Sequence, residues 1–203
     1  MSNLITKRRE PFRFMVWMGI ASSIILFTML LVAYVVRSTA PGWANIKLPN
    51  VFLVSTVVIL LSSLTLKNAI QAFKHERFSS YRTNIATTFG LGVLFIILQA
   101  WGWRQMVRTG VGLAGNPAGG FIYIISGVHL LHILVGLIFL AILLAEALRR
   151  RLYIDSFVYS VNPPNSLKIK LISLYWHFVD ILWIGLFIFL AIHHGLDLRL
   201  SLY

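Results

Sequence analysis

The chain has no cysteine among its 203 residues and only six acidic residues against eighteen basic ones. Without thiolates it cannot build a cysteine zinc site, an iron–sulfur cluster or a thiol redox centre, although the compartment stays open. Strands alternating at period two are missing, which speaks against a transmembrane barrel. No internal repeat supports an inverted-repeat transporter. The glycine-rich run from Gly110 to Gly120 lacks the preceding strand and the Gly-Lys-Ser/Thr ending of a nucleotide cradle. It reads as a flexible external turn.

What remains is apolar. Hydrophobic residues make up 58% of the chain and mean hydropathy is +0.82, values of an integral membrane protein. A bilayer core of about 30 Å needs about 20 apolar residues per helix. Five stretches qualify, at 14–36, 48–66, 84–103, 121–147 and 171–194. The first is too long for a signal-peptide core, and Pro41 after Ser38-Thr39-Ala40 is a poor cleavage context. The expected fold is all-α, a five-helix membrane domain over 14–194 between a basic tail at 1–13 and a short external tail at 195–203.

Charge orients this bundle. Lys7, Arg8, Arg9, Arg13, Lys67, Lys74, Arg77, Arg82, Arg149, Arg150, Arg151, Lys168 and Lys170 fall in the N-terminal tail and in loops expected at 67–83 and 147–170. Only Arg37, Lys47, Arg104, Arg108 and Arg199 fall on the opposite side. The positive-inside rule makes the N-terminus cytoplasmic and the C-terminus periplasmic. The net charge of +12 flanks helices and accompanies no nucleic-acid motif, so anionic lipid headgroups are its expected partner and nucleic acid is not. Asn162-Pro163-Pro164-Asn165 punctuates the last internal loop.

Asp180 is the one acidic residue deep in a hydrophobic span, and an intramembrane carboxylate normally has a partner, a water cavity or a function. It sits in Tyr175-Trp176-His177-Phe178-Val179-Asp180-Ile181-Leu182-Trp183, where Trp176, Asp180, Trp183 and Phe187 follow helical spacing and His177 is one turn away. His129 and His132 share a face of the fourth span, which Gly136 extends and opens to close approach. At about 1.5 Å per residue, His132 lies roughly 16 Å inside the outer boundary and Asp180 roughly 14 Å from the inner one, near one level. His129 lies nearer the outer face and His177 nearer the inner, so no two histidines pair at one depth as haem ligands would. His129, His132, His177 and Asp180 are read as an intramembrane polar cluster. A structural or proton-handling contact, a metal or haem site, and a substrate site are the open readings. The sequence points to His132 or His177 as the partner of Asp180, and a bond from His132 would clamp the fifth helix to the fourth.

At these residues the chain resembles a family. The Tyr175–Trp183 segment and the pattern Gly127, His129, His132, Gly136 resemble subunit III of the haem-copper terminal oxidases, here in a short bacterial form. Ala33-Tyr34-Val35-Val36-Arg37 at the end of the first span, Ser62-Ser63, and Gln99-Ala100-Trp101-Gly102-Trp103 are similar to further family segments, in the right order. The departures are specific. The family often has seven helices, and its first two have no counterpart here. Two positions that usually hold intramembrane glutamates are Ser23 and Gly102.

The resemblance implies a non-redox subunit of a cytochrome c oxidase, part of an aerobic respiratory chain that reduces oxygen and translocates protons. It implies no catalytic residue, cofactor or metal of the chain's own. Haem and copper are expected in partner subunits I and II, phospholipid is an expected ligand, and a larger respiratory supercomplex is a further expected partner. A quinol oxidase or a nitric-oxide-reductase-associated homologue is the near alternative. A small proton-coupled transporter or a membrane haem protein is the distant one.

Ser23 generates a first prediction. Carbodiimides form stable adducts with protonated carboxyls in apolar settings, and a hydroxyl gives no such adduct. Peptide mapping after treatment should find none within residues 14–36; an adduct there would show the alignment or the chemistry to be wrong.

Overall fold

The computed structural model describes residues 10–39, 42–43, 46–113, 115–149 and 163–197. Arg150, Arg151, Asn162, Arg199 and most of the basic tail lie outside them. Five helices carry the fold: α1 (Glu10–Ser38), α2 (Val51–Lys74), α3 (Phe78–Arg108), α4 (Pro117–Arg149) and α5 (Pro163–His194). All five are long and apolar enough to cross a membrane.

Each helix is longer than the span expected from hydropathy alone, although α2 begins at Val51 rather than at 48, because Leu48–Pro49 forms a short strand. The segment 67–83 is helical except at 75–77, so it is no loop. The two helices turn back on each other through a left-handed cap. Glu76 has φ 58°, its N–H donates to the Phe73 carbonyl, and the Arg77 N–H donates to that of Ala72. This closes the last carbonyls of α2 within three residues. Hydropathy misses such extensions because long basic side chains near helix ends reach back to water. On the other side of the bundle, Gly110 plays the same part at φ 82°, with the Val111 N–H on the Met106 carbonyl.

The final internal loop is also shorter than expected. Pro163 and Pro164 open α5 rather than precede it, since proline suits the first helical turn, where no N–H is needed. Pro117–Gly120 likewise begin α4, and the glycine-rich turn before it is partly pinned. The Tyr123 hydroxyl donates to the Val111 carbonyl at 2.9 Å, and a Cβ on Gly119 would meet the Val111 side chain at 2.6 Å. Beyond α5, Leu196–Asp197 pairs in parallel with Leu48–Pro49, tying the start of the expected external tail to the α1–α2 connection.

Helices α2, α3, α4 and α5 pack in a closed ring, each against the next and α5 against α2. Helix α1 lies outside that ring, against α4 and α5. Its buried stripe is Ile20, Ser23, Phe27 and Tyr34, while most of its other side chains between Phe14 and Val36 are exposed and apolar, suited to lipid or another helix.

Trp176 locks the ring. It is 1% exposed and touches three helices at once. Its indole N–H donates to Ser62 Oγ of α2 at 3.1 Å. Its ring fills the space left by Gly92 of α3 and Gly136 of α4, where an added Cβ would fall 2.8 and 2.9 Å from it. Overpacking of this kind typically costs about 1–3 kcal/mol. Gly92→Ala and Gly136→Ala should therefore each lower the thermal unfolding midpoint in detergent. Gly127→Ala, whose Cβ would sit 3.8 Å from Trp103, should leave it unchanged. Equal midpoints for all three would show that Trp176 is not so confined.

Candidate functional site

The interior of the ring is organised by hydroxyls that serve as adapters. In an apolar medium every indole or amide N–H needs an acceptor, and a side-chain hydroxyl can carry one beyond the helix backbone. On α2, Ser62 Oγ donates to its own Ile59 carbonyl at 2.7 Å and accepts the Trp176 N–H. Thr56 Oγ1 donates to the Phe52 carbonyl at 2.7 Å and accepts the Trp183 N–H at 3.0 Å. Ser55 Oγ donates to the same carbonyl and accepts from Gln99 Nε2 of α3 at 2.9 Å. On α4, Ser126 donates to the Ile122 carbonyl and accepts the Trp103 N–H at 3.0 Å. The threonines Thr65 and Thr88 meet at 2.8 Å across α2 and α3.

Against this frame the four ionisable residues of the expected cluster separate. His132 turns away from α5: its Nδ1–H donates to the Val128 carbonyl at 2.8 Å, and its Nε2 meets Ser23 Oγ of α1 at 2.9 Å. Ser23 Oγ also donates to the Gly19 carbonyl at 2.7 Å. The α4–α5 clamp through His132 and Asp180 is thus not formed. His132 tethers the peripheral helix α1 instead, because α4 presents that face to α1 rather than to α5. At this level α4 is joined to α5 by Tyr175, whose hydroxyl donates to the His132 carbonyl at 3.1 Å.

His177 Nδ1 meets Ser63 Oγ of α2 at 2.6 Å. His129 is 0% exposed, stacked on Trp183 at 4.9 Å between ring centroids and edged by Phe27 and Phe95. Neither of its nitrogens has a hydrogen-bond partner among the described residues. Asp180 is 2% exposed, and neither of its carboxyl oxygens has a hydrogen-bond partner among the described residues. Trp176 and Trp183 flank it one turn to either side, and Phe178 is half-buried on the neighbouring face. Among the described residues, no three His, Asp or Glu side chains converge as metal ligands would.

The two positions matched to family glutamates have different fates. Ser23 keeps a polar partner in His132. Gly102 faces the Phe52 ring, and even a Cβ there would approach it to 3.0 Å, so α2 occupies the place of a longer side chain. Sequence reading passed over Ser55, Thr56 and Gly92. A signal was present: Ser55 and Ser62, like Thr56 and Ser63, stand seven apart, which repeats one helix face every two turns.

Comparison with known proteins decides the family. The family model for cytochrome c oxidase subunit III matches residues 5–194. The chain belongs to the cytochrome c oxidase subunit III family. A cytochrome c oxidase subunit 3 of Corynebacterium diphtheriae is 32% identical over 137 residues, which cover 67% of this chain and 62% of that protein. A probable cytochrome c oxidase subunit 3 of Nocardia farcinica is 30% identical over 180 residues, 85% of this chain and 82% of its own length. A cytochrome bo(3) ubiquinol oxidase subunit 3 of Buchnera aphidicola is 24% identical over 179 residues, covering 85% and 87%.

Asp180 yields the prediction for this subunit III site. Removing a buried polar group that satisfies nothing leaves no orphaned partner, so its loss is close to neutral. Asp180→Leu should therefore unfold at or above the parent's midpoint, and Asp180→Asn within error of it. A large drop for Asp180→Leu, with Asp180→Asn intact, would reveal a partner for the carboxyl.

Proposed function

We propose that this chain is the third core subunit of a haem-copper respiratory oxidase that reduces oxygen to water and moves protons across a bacterial cytoplasmic membrane. The observation that carries the reading is the family match over residues 5–194, joined to an interior built for packing. The chain then acts as a non-redox subunit that packs on the catalytic subunit I, with subunit II in the same complex, and supports proton uptake. Haem and copper belong to those partners. Phospholipid covers the exposed apolar surface of α1 wherever protein does not.

The end of the bundle that carries Lys67, Lys74, Arg77, Arg82, Arg149 and Lys170 faces the cytoplasm in this reading, following the positive-inside rule. Lys168 contributes there differently, as the partner of Glu146 in an ion pair between α5 and α4. Cytochrome c is the electron donor we favour, because two relatives at 30% identity or above bear that oxidase's name. The Buchnera relative, matched over 87% of its length, supports quinol as the second reading.

Mild-detergent purification on a tag at Met1 tests the assignment. The chain should bring down a larger subunit bearing haem and copper, and after separation it should show no visible absorption of its own. A stable, functional monomer with its own haem spectrum would defeat the assignment.

A further inference from the structure

The geometry points to the outward edge between α2 and α5 as the seat of a partner's transmembrane helix, which hydrogen-bonds His177 within the membrane. The inference rests on the oxidase reading only for the name of that partner, and otherwise on contacts within this chain. Ser63 Oγ and His177 Nδ1 meet at 2.6 Å and join α2 to α5. Both residues are only half-buried, whereas Ser62, Thr56 and Ser55 make their bonds in the buried interior. Along the helix axes, Ser63 lies roughly 16 Å from the Lys74 end of α2, and His177 roughly 21 Å from the Pro163 end of α5. The pair therefore sits deep in the hydrocarbon layer, at an edge open to its surroundings.

This pair leaves one polar atom open whichever way its proton points. If the hydroxyl donates to Nδ1, the ring proton sits on Nε2 and lacks an acceptor; if Nδ1–H donates, Nε2 is a bare lone pair. Ser63 is the one hydrogen-bond partner of His177 among the described residues. Exposed hydroxyls elsewhere on the helices have no such defect. Ser22, Thr28, Thr83 and Thr87 each donate to a carbonyl three or four residues back in their own helix. Acyl chains offer nothing to the open nitrogen, and an unsatisfied polar group in hydrocarbon is costly.

Charge narrows the occupant further. Lys67 follows Ser63 by four residues and Lys170 precedes His177 by seven, so both lie on the pair's face, toward the basic end of the bundle. Both are exposed, and neither forms an ion pair among the described residues. Leu60, Leu64 and Ile181 continue the edge as exposed apolar surface. A lipid phosphate can neutralise the lysines, but His177 stands roughly 10 Å deeper than Lys170 along α5. A transmembrane helix meets both demands. It brings a hydroxyl, amide or carboxyl side chain at the depth of His177 and an acidic side chain near its end beside the lysines. Interhelical hydrogen bonds of that kind hold membrane helices together.

Photo-crosslinking in the intact membrane complex tests the seat. Benzoylphenylalanine takes the place of Ile181, one turn from His177, and in a second preparation that of Leu60, which serves if the first fails to assemble. Illumination should join the chain to a membrane-spanning segment of another polypeptide, with a hydrogen-bonding side chain within one turn of the joined residue. His177→Leu should lower the adduct yield about tenfold, the worth of one interhelical hydrogen bond. His177→Gln, which keeps a hydrogen-bonding side chain, should retain most of it. The exposed double change Lys67→Gln with Lys170→Gln, which leaves the chain's own packing untouched, should lower the yield as well. Adducts with lipid alone, adducts with a segment lacking a polar side chain, or equal yields from His177→Leu and the parent would overturn the inference. Absence of haem from the purified complex would defeat the oxidase assignment and leave the His177 result standing, so either idea can fail alone.

Discussion

A tryptophan N–H buried between apolar helices must find an acceptor, and this chain solves that problem with serine and threonine. A helix carbonyl that already accepts within its own helix keeps one lone pair close to the backbone, whereas a side-chain hydroxyl extends an acceptor towards the neighbouring helix. Each hydroxyl here gives its proton to its own helix three or four residues back and keeps lone pairs for the neighbour. Ser62 and Thr56 do this for Trp176 and Trp183, Ser55 for Gln99 and Ser126 for Trp103. The indoles then set how close the helices come. Gly92 and Gly136 follow from Trp176, and the closed order of α2 to α5 follows from all of them.

That frame explains what subunit III can and cannot do in this form. The interior is filled by aromatic rings and by hydroxyl-to-indole hydrogen bonds, and the places of two family glutamates hold smaller groups. At Gly102 the Phe52 ring lies against the helix, and at Ser23 a hydroxyl ties α1 to His132. Asp180 stands apart because nothing in the frame uses it. His129 shares that condition, with neither ring nitrogen hydrogen-bonded among the described residues.

Much of the architecture is legible in the amino-acid sequence. Five apolar runs gave five helices, since bilayer thickness fixes their length. Gly136 was read as a point of close approach, and the Trp176 ring lies against it. Depth arithmetic placed His132 and Asp180 near one level, but depth says nothing of azimuth, and α4 turns His132 toward α1 rather than α5. Helix ends were missed where capping rather than hydropathy decides, as at Glu76 and Pro163. The hydroxyl acceptors escaped because serine and threonine are common in membrane helices, and only a partner's position shows which ones accept an indole.

The central claim is that the paired hydroxyl and indole act as a unit, and a double-mutant cycle on Ser62 and Trp176 measures it directly. Ser62→Ala leaves the indole N–H unpaired, whereas Trp176→Phe removes the N–H while keeping an aromatic ring. Unfolding of the two single variants and the double variant in one detergent gives the coupling. A buried bond of this kind should give about 1 kcal/mol of non-additivity, with Ser62→Ala close to neutral once Trp176 is already Phe. Strict additivity, with Ser62→Ala costing the same in both backgrounds, would contradict the account.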